Sequence, residues 1–322
     1  MMRSLRALAA LFLAALSLNA LGDTWPSKPL KIVVPFSAGG STDTVARIVA
    51  EKLSASLGQP VIVDNKAGAG GAIGSEFVAR SAPDGYTLLL GTSSTMAIAP
   101  WVYRHLPYNP SKDFAPVSLL GTADILVVVN PKVPVRSIAE LVAYAKAHPG
   151  KLTFASGGNG SISHLLGEYF KSMAHVDMLH VPYKGDSGMV TDFLAGQVDL
   201  AFGTAVAWLP HVKSGKAIAL AVTNPKRSTT MTELPTVSES GVPGYEAVQW
   251  FGVAAPAGTP KAIVDRLSAE MRRIVQMPDV QKRFTDLGFD VVGDTPAEFG
   301  QFLRGENAKW KQIAETSHTV LD

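Results

Sequence analysis

The chain has 322 residues, of which 47% are hydrophobic and 17% are charged, and it contains no cysteine. This composition excludes disulfides, thiolate catalysis and cysteine-based metal sites, and it argues against a disordered chain. The formal net charge is only +2 and there is no long basic run, so we expect no nucleic-acid partner. The length predicts one large domain or two medium-sized ones.

The first 22 residues have the pattern of a signal peptide. Arg3 and Arg6 precede an apolar stretch at residues 7–18, and small residues follow at Ala20 and Gly22. The apolar stretch is shorter than the ~20 residues that a membrane span needs. We expect cleavage after Gly22, with cleavage after Ala20 or a retained membrane anchor as the alternatives. Removal takes away two of the 29 basic residues and none of the 27 acidic ones, so the mature chain has a net charge of zero.

Apolar, β-branched runs of strand length alternate with helical patterns along the rest of the chain. This alternation predicts an α/β fold with mixed, mostly parallel sheets. Capping boxes at Ser137–Glu140 and Thr295–Glu298 mark two helix starts, and Pro260 and Pro278 mark two more. The predicted strands are Leu30–Val34, Val61–Val63, Thr87–Leu90, Ile125–Val129, Thr153–Ala155, Val198–Phe202, Ala217–Val222 and Phe251–Ala254.

The order of these elements predicts two lobes. The first comprises residues 23–122 and 224–322, and the second comprises residues 123–223. Two chain crossings between lobes form a hinge, and a hinged cleft is the usual geometry for closure around a small ligand.

Two small-residue turns, one in each lobe, lie between a strand and a helix. A helix N-terminus has unpaired N–H groups and partial positive charge, and glycines let an anion approach the backbone. The pair therefore predicts a clamp for an acidic small molecule. In the first turn Ser41, Thr42 or Asp43 is expected to cap the following helix. The candidate ligand-binding residues of the two turns are Phe36, Ser37, Ala38, Gly39, Gly40 and Thr42, and Asn159, Gly160, Ser161 and His164.

Two further turns supply candidates for the border of this cleft. Thr92 and Ser93 follow a predicted strand, and ligands of α/β sheets bind beyond the carboxyl ends of strands. Tyr183, Gly185 and Asp186 precede or begin a predicted helix. For these residues, ligand contact and simple helix capping are the alternatives. For His164 the alternative is a hydrogen bond within the fold.

The spacing of the relevant residues argues against a nucleotide site, a protease site and a metal site. The glycines of residues 68–74 do not match the dinucleotide fingerprint, because the third glycine comes one residue late. Gly185–Gly188 is similar to a protease nucleophile segment, but no histidine and acid are placed to activate Ser187. The seven histidines show no metal-binding spacing. We therefore expect no metal and no cofactor.

The ordered blocks of this sequence resemble the Bug family, the periplasmic substrate-binding proteins of tripartite tricarboxylate transporters. The resemblance runs from about Trp25 to the C-terminus. It implies a two-lobed type II periplasmic-binding (Venus flytrap) fold that captures a carboxylate between Phe36–Gly40 and Gly160–Ser161. The blocks that carry it include Pro35–Asp43, Asn65–Gly74, Pro83–Leu88, Gly158–Leu165, His180–Gly185, Gly196–Asp199, Leu234–Glu239 and Ala255–Pro260.

This resemblance implies a periplasmic receptor and not an enzyme. We expect a monomer that binds a di- or tricarboxylic or an aromatic acid and delivers it to integral membrane permease subunits. One alternative is a sensory receptor that serves a signalling kinase. The other is a secreted hydrolase that uses Ser187 or Ser161, for which the sequence supplies no activating base.

Overall fold

The computed structural model describes residues 25–322, so the predicted signal peptide and its cleavage sites lie outside the described residues. The described part contains two sheets with helices on both faces of each. None of its helices is both long and apolar enough to cross a membrane. The strands are β1 (Leu30–Val34), β2 (Val61–Asn65), β3 (Thr87–Thr92), β4 (Phe114–Ala123), β5 (Ile125–Val129), β6 (Thr153–Ser156), β7 (Leu179–Pro182), β8 (Leu200–Thr204), β9 (Ile218–Val222), β10 (Gln249–Pro256) and β11 (Phe289–Val291).

The helices connect these strands. A short 3₁₀ turn, Ala69–Gly71, precedes the second helix, and a π-helical turn, Ser94–Ile98, precedes the third. The helices are α1 (Ser41–Leu57), α2 (Ala72–Ala79), α3 (Ala99–Val102), α4 (Ile138–Ala147), α5 (Ile162–Ala174), α6 (Asp186–Leu194), α7 (Ala205–Lys213), α8 (Lys261–Val275), α9 (Pro278–Asp286) and α10 (Pro296–Ser317).

The strands form two mixed sheets, and we call the part of the molecule built on each sheet a lobe. The first sheet has the order β11-β4-β10-β3-β1-β2, and the second has the order β7-β6-β8-β5-β9. The predicted two-lobed α/β fold with mixed sheets is confirmed. The expectation of mostly parallel sheets is wrong, because four strand pairs are parallel and five are antiparallel.

The antiparallel pairs have a simple cause in the path of the chain. Each of them contains β4, β5 or β10, the strands through which the chain leaves one sheet and enters the other. Only Asp124 separates β4 from β5, so no crossover helix turns the chain back. A parallel neighbour needs such a crossover of a dozen or more residues.

Apolar periodicity accounts for the packing of the helices on the sheets. Buried residues of α8 recur at Val264, Leu267, Met271 and Ile274, and α8 and α1 together cover one face of the first sheet. A second cluster lies beneath α6 and α7 in the second lobe. The largest cluster joins the remaining faces of both lobes, where α5 and α10 pack against each other.

The segment between β9 and β10 packs mainly on the second lobe. Thr236 forms a bridge with Val222, and the Tyr245 hydroxyl donates a hydrogen bond to the carbonyl of Leu166. The Tyr245 ring also packs against Phe202 of β8. The sequence predicts that all residues from 224 onward belong to the first lobe, whereas these contacts join part of the segment to the second lobe. The exact lobe boundaries stay a prediction.

Candidate ligand cleft

A cleft lies between the lobes where β1, β3, β6 and β8 end. In this arrangement the cleft is narrow, with a free volume of about 40 Å³, and it is partly open to solvent. Its wall is formed by strand ends and helix starts, the part of an α/β fold where ligands bind. The residues that line it are Phe36, Gly40, Ser41, Thr42, Thr92, Ser94, Ile125, Gly157, Ser161, Ile162, Ser163, Asp186, Phe202, Gly203, Thr204 and Gln249.

The first glycine turn is held in shape by Asp43. Its carboxylate accepts hydrogen bonds from Gly39 N (2.9 Å), Arg47 Nε (2.8 Å) and Asn65 Nδ2 (3.0 Å). Burial alone raises the pKa of Asp43, but these donors outweigh burial and lower it. Asp43 therefore supports the turn from within and is not a lining residue. The predicted side-chain cap is wrong, since Gly40 is the N-cap of α1 and no side chain caps this helix.

The same turn contacts the second lobe directly. Ser41 donates from its backbone N (3.0 Å) and from its Oγ (2.5 Å) to Asp186 Oδ2, at the start of α6. Ser37 N donates to the carbonyl of Lys184 (3.1 Å), and Ser37 Oγ lies 2.9 Å from Ser187 Oγ. The N–H groups of Ser37 and Gly39, which the sequence assigned to a ligand, thus bond to protein acceptors in this arrangement.

The second turn brings a group of hydroxyls to the cleft. Ser161 caps α5 by accepting from His164 N, as its position predicts. Its Oγ lies 3.0 Å from Ser163 Oγ, which in turn accepts from Gly157 N. Ile162 N donates across the cleft to Ser94 Oγ in the first lobe (3.0 Å).

The two histidines beside this turn are internal and neutral. The His164 ring stacks on His180 with centroids 4.1 Å apart, and Gly160 N donates to His164 Nδ1. Burial, assisted by the charge of Lys171, lowers the pKa of His164 to about 4. Burial and then the charges of His164 and Lys171 lower that of His180 to about 3. His164 is not among the residues that line the cleft, so the structure favours the hydrogen bond within the fold.

Two threonine hydroxyls in the cleft lack partners. Thr92 ends β3 in the first lobe and Thr204 ends β8 in the second, and they are 1% and 6% exposed. Within residues 25–322, neither Oγ1 atom has a hydrogen-bond partner. Thr204 is also the N-cap residue of α7, but its side chain accepts no bond from that helix. A buried hydroxyl without a partner costs free energy unless a bound molecule supplies one.

The remaining predicted site residues frame the cleft without lining it. Ala38 and Gly39 are exposed outside it. Ser93 Oγ accepts from Trp250 N. The others have partners within the protein: the carbonyl of Asn159 accepts from Tyr103 Oη, Gly160 N donates to His164, Tyr183 Oη donates to Asp192, and Gly185 packs against Ser37.

Six predicted residues meet at the cleft: Phe36, Gly40, Thr42, Thr92, Ser161 and Asp186. Their role in ligand binding stays a prediction. The sequence analysis missed Ser94, Ser163, Thr204 and Gln249. Thr204 could have been predicted, because it comes two residues after the predicted strand Val198–Phe202 and ends the observed strand β8. The strand-end rule that selected Thr92 therefore applies to it equally.

The serines proposed for hydrolysis have no activating base in the described part of the chain. Ser187 bonds to Ser37, and Ser161 bonds to Ser163 and to the backbone of His164. Across residues 25–322, no three histidine, aspartate or glutamate side chains are close enough together to hold a metal ion.

Comparison with known proteins agrees with this architecture. A family model described as "Tripartite tricarboxylate transporter family receptor" matches residues 45–318. Protein BugT of Bordetella pertussis is 39% identical over 323 residues, covering 99% of each chain.

Two solved structures are also similar. One is "R. palustris Rpa4515 with adipate", with 36% identity, a TM-score of 0.89, and coverage of 92% of this chain and 99% of that one. The other is MatC from Rhodopseudomonas palustris with bound malate, with 34% identity, a TM-score of 0.87, and coverage of 90% and 99%. Together with the two-lobed fold and its cleft, these matches show that the chain belongs to the TctC (Bug) family of tripartite tricarboxylate transporter receptors.

Proposed function

We propose that this protein is a periplasmic receptor that captures an organic acid between its lobes and delivers it to a tripartite permease in the membrane. The observation that carries the proposal is the pair of unpartnered hydroxyls of Thr92 and Thr204, two residues that line one cleft from opposite lobes. A carboxylate only accepts hydrogen bonds and each hydroxyl can donate one, so an acid group supplies the kind of partner that both lack.

The surroundings of these hydroxyls suit an anion. The cleft also lies at the N-terminus of α5, where backbone N–H groups and the helix dipole favour negative charge. The dipole contributes roughly 0.3–1 kcal/mol, and each hydrogen bond to a charged group contributes roughly 1.5–3 kcal/mol. These magnitudes are sufficient for micromolar binding after the cost of association.

The rest of the ligand rests on apolar side chains. Phe36 from the first lobe and Phe202 from the second line the cleft together with Ile125. This lining suits an organic body rather than an inorganic anion. The ligand stabilises the closed arrangement to the extent that it binds this arrangement better than the open one.

Family membership supports the transport role. The receptors of this family are named for their transporter, and two solved relatives were determined with adipate and with bound malate. Export to the periplasm follows from the N-terminal pattern of Arg3, Arg6 and the apolar stretch.

A thermal-shift screen of organic acids tests the proposal. We expect at least one acid to raise the melting temperature, while its uncharged amide does not, because only the acid supplies a charged acceptor. Equal shifts with acids and amides, or no shift with any acid, would overturn it.

A further inference from the structure

We propose that Asp186 selects organic acids with a single carboxylate, whose other end meets Asp186 with a hydrogen-bond donor. An amide, a hydroxyl or an ammonium group meets this requirement, and a second carboxylate does not. The inference rests on the proposed function and narrows the ligand class of the same cleft. It departs from the di- or tricarboxylic acid that the family resemblance implied.

Asp186 occupies a position suited to an acid group of the ligand. It is the first residue of α6, in the second lobe, and its Oδ2 accepts from both the backbone N and the Oγ of Ser41. Ser41 begins α1 in the first lobe. The positive end of the α1 dipole therefore already faces a carboxylate that belongs to the protein.

Close packing holds this carboxylate in place. A Cβ atom added to Gly40 would lie 3.3 Å from Asp186 Cβ and 3.5 Å from its Oδ2. Asp186 thus packs against the backbone of the first turn, and a ligand carboxylate that approached the start of α1 would meet it.

The charge of the cleft reinforces this effect. Of the described residues that line it, Asp186 is the only charged one, and neither a lysine nor an arginine is among them. A ligand with two carboxylates would place a second negative charge near Asp186 with no basic side chain to offset it. Two carboxylates also cannot hydrogen-bond to each other, because both only accept.

Other lining residues have the complementary polarity. The free hydroxyls of Thr92 and Thr204 can donate, and the hydroxyls of Ser161 and Ser163 lie at the start of α5. The cleft therefore presents donors for one carboxylate and, in Asp186, a charged acceptor. An acid with a donor at its far end matches both.

Calorimetry with matched ligand pairs tests this selection. The probes are the linear dicarboxylates of three to six carbons, malonate to adipate, each compared with its own monoamide. The two members of a pair have nearly the same length and shape and differ by one charge. For the best-binding pair we expect the wild type to bind the monoamide at least about tenfold more tightly than the diacid, which corresponds to about 1.4 kcal/mol.

An isosteric variant tests whether the charge of Asp186 causes the preference for the monoamide. Asp186→Asn keeps an acceptor oxygen for Ser41 but removes the charge, and we expect it to abolish or reverse the preference for the monoamide. Asp192→Asn is the matched control. It makes the same charge change on the same helix, at a carboxylate that bonds Tyr183 Oη and does not line the cleft, so it should keep the wild-type preference.

The ratio of the two affinities is the informative quantity, because any effect of a substitution on lobe closure is shared by both ligands of a pair. Equal affinities or a preference for the diacid in the wild type would overturn the selection by Asp186. The selection would also be overturned if the ratio of the two affinities were the same in Asp186→Asn as in the wild type. If no diacid and no monoamide binds although another acid raises the melting temperature, the selection by Asp186 fails and the proposed function stands; if no acid of the screen binds, both fail.

Discussion

At the scale of single residues, the cleft is defined by polar groups whose bonding is incomplete. Most buried hydroxyls of this protein have partners, as Thr223 has in the carbonyl of Ala247. Thr92 and Thr204 do not, although both are buried. An unpaired buried hydroxyl lowers stability unless a bound molecule supplies a partner, so these two residues support the proposed site more directly than the glycines do.

Thr204→Val tests this interpretation. The substitution keeps the shape of the side chain and removes a hydroxyl that has no partner, so the free energy of unfolding should stay the same or rise slightly. The affinity for the bound acid should fall about fivefold or more, since a hydrogen bond to a charged group is lost. Chemical denaturation and calorimetry measure the two effects.

Thr223→Val is the comparison. Its hydroxyl is bonded, so we expect a loss of stability of about 1 kcal/mol and little change in affinity. A Thr204→Val variant that loses stability but binds the acid with wild-type affinity would contradict a ligand role for Thr204.

The buried histidine His164 predicts a dependence of stability on pH. Its pKa in the folded protein is about 4, below the usual 6.5, and its Nδ1 accepts from Gly160 N, which requires an unprotonated nitrogen. Between these two values the unfolded chain binds a proton that the folded chain does not. The free energy of unfolding should therefore be highest above about pH 6.5 and should fall by up to about 1.4 kcal/mol per pH unit as the pH drops toward 4.

Denaturant titrations at several pH values check this dependence. His164→Asn retains an acceptor near Gly160 and does not titrate, so the slope of stability against pH should become shallower. His105→Asn, at an exposed position, controls for the loss of one histidine from the chain. Identical slopes in His164→Asn and the wild type would contradict the assignment.

At the scale of elements, the glycine-rich turn at residues 68–71 forms a contact between the lobes. Gly70 has φ +58°, and a Cβ there would overlap the carbonyl oxygen of Asn159 and lie 2.9 Å from Tyr103 Oη. Tyr103 Oη donates to the same carbonyl at 2.5 Å, and burial raises the pKa of Tyr103 to about 12, so it stays protonated. Gly70 therefore permits the close approach of two backbone segments.

Gly70→Ala should therefore impair closure. We expect at least a tenfold loss of ligand affinity although Gly70 does not line the cleft, and X-ray scattering should show a larger radius of gyration with ligand present. Gly58→Ala is the matched control, because Gly58 has a similar φ of +66° and open space around it. It should lose a comparable ~1 kcal/mol of stability and keep its affinity. A Gly70→Ala variant with wild-type affinity would show that this contact is not needed for binding.

Elements with a strong local signal were predictable, and those set by distant partners were not. The capping box at Thr295 occurs as the sequence predicts, with both of its hydrogen bonds. Strand β4 was missed because Pro116 and Ser118 interrupt its apolar pattern and its pairing with β10 has two register shifts. Edge strand β7 was missed because His180 and Pro182 interrupt the apolar, β-branched pattern by which strands were predicted.

At the scale of the whole molecule, two lobes meet through contacts that no local pattern contains. The bond between Ser41 and Asp186 joins residues 145 positions apart, and the bond between Ile162 and Ser94 joins residues 68 apart. The sequence placed both turns at a cleft, but it could not show that Asp186 would reach the start of α1. That contact depends on how the two lobes lie against each other, which is set by both chain crossings between the sheets.

The central claim is that this cleft binds an organic acid through its charge. Calorimetric titration of the wild type with the acid that most raises the melting temperature, compared with the primary amide of that acid, tests it most directly. We predict one bound molecule with a micromolar Kd for the acid and an affinity at least about a hundredfold lower for the amide, about 2.7 kcal/mol. Equal affinity for acid and amide would contradict the account.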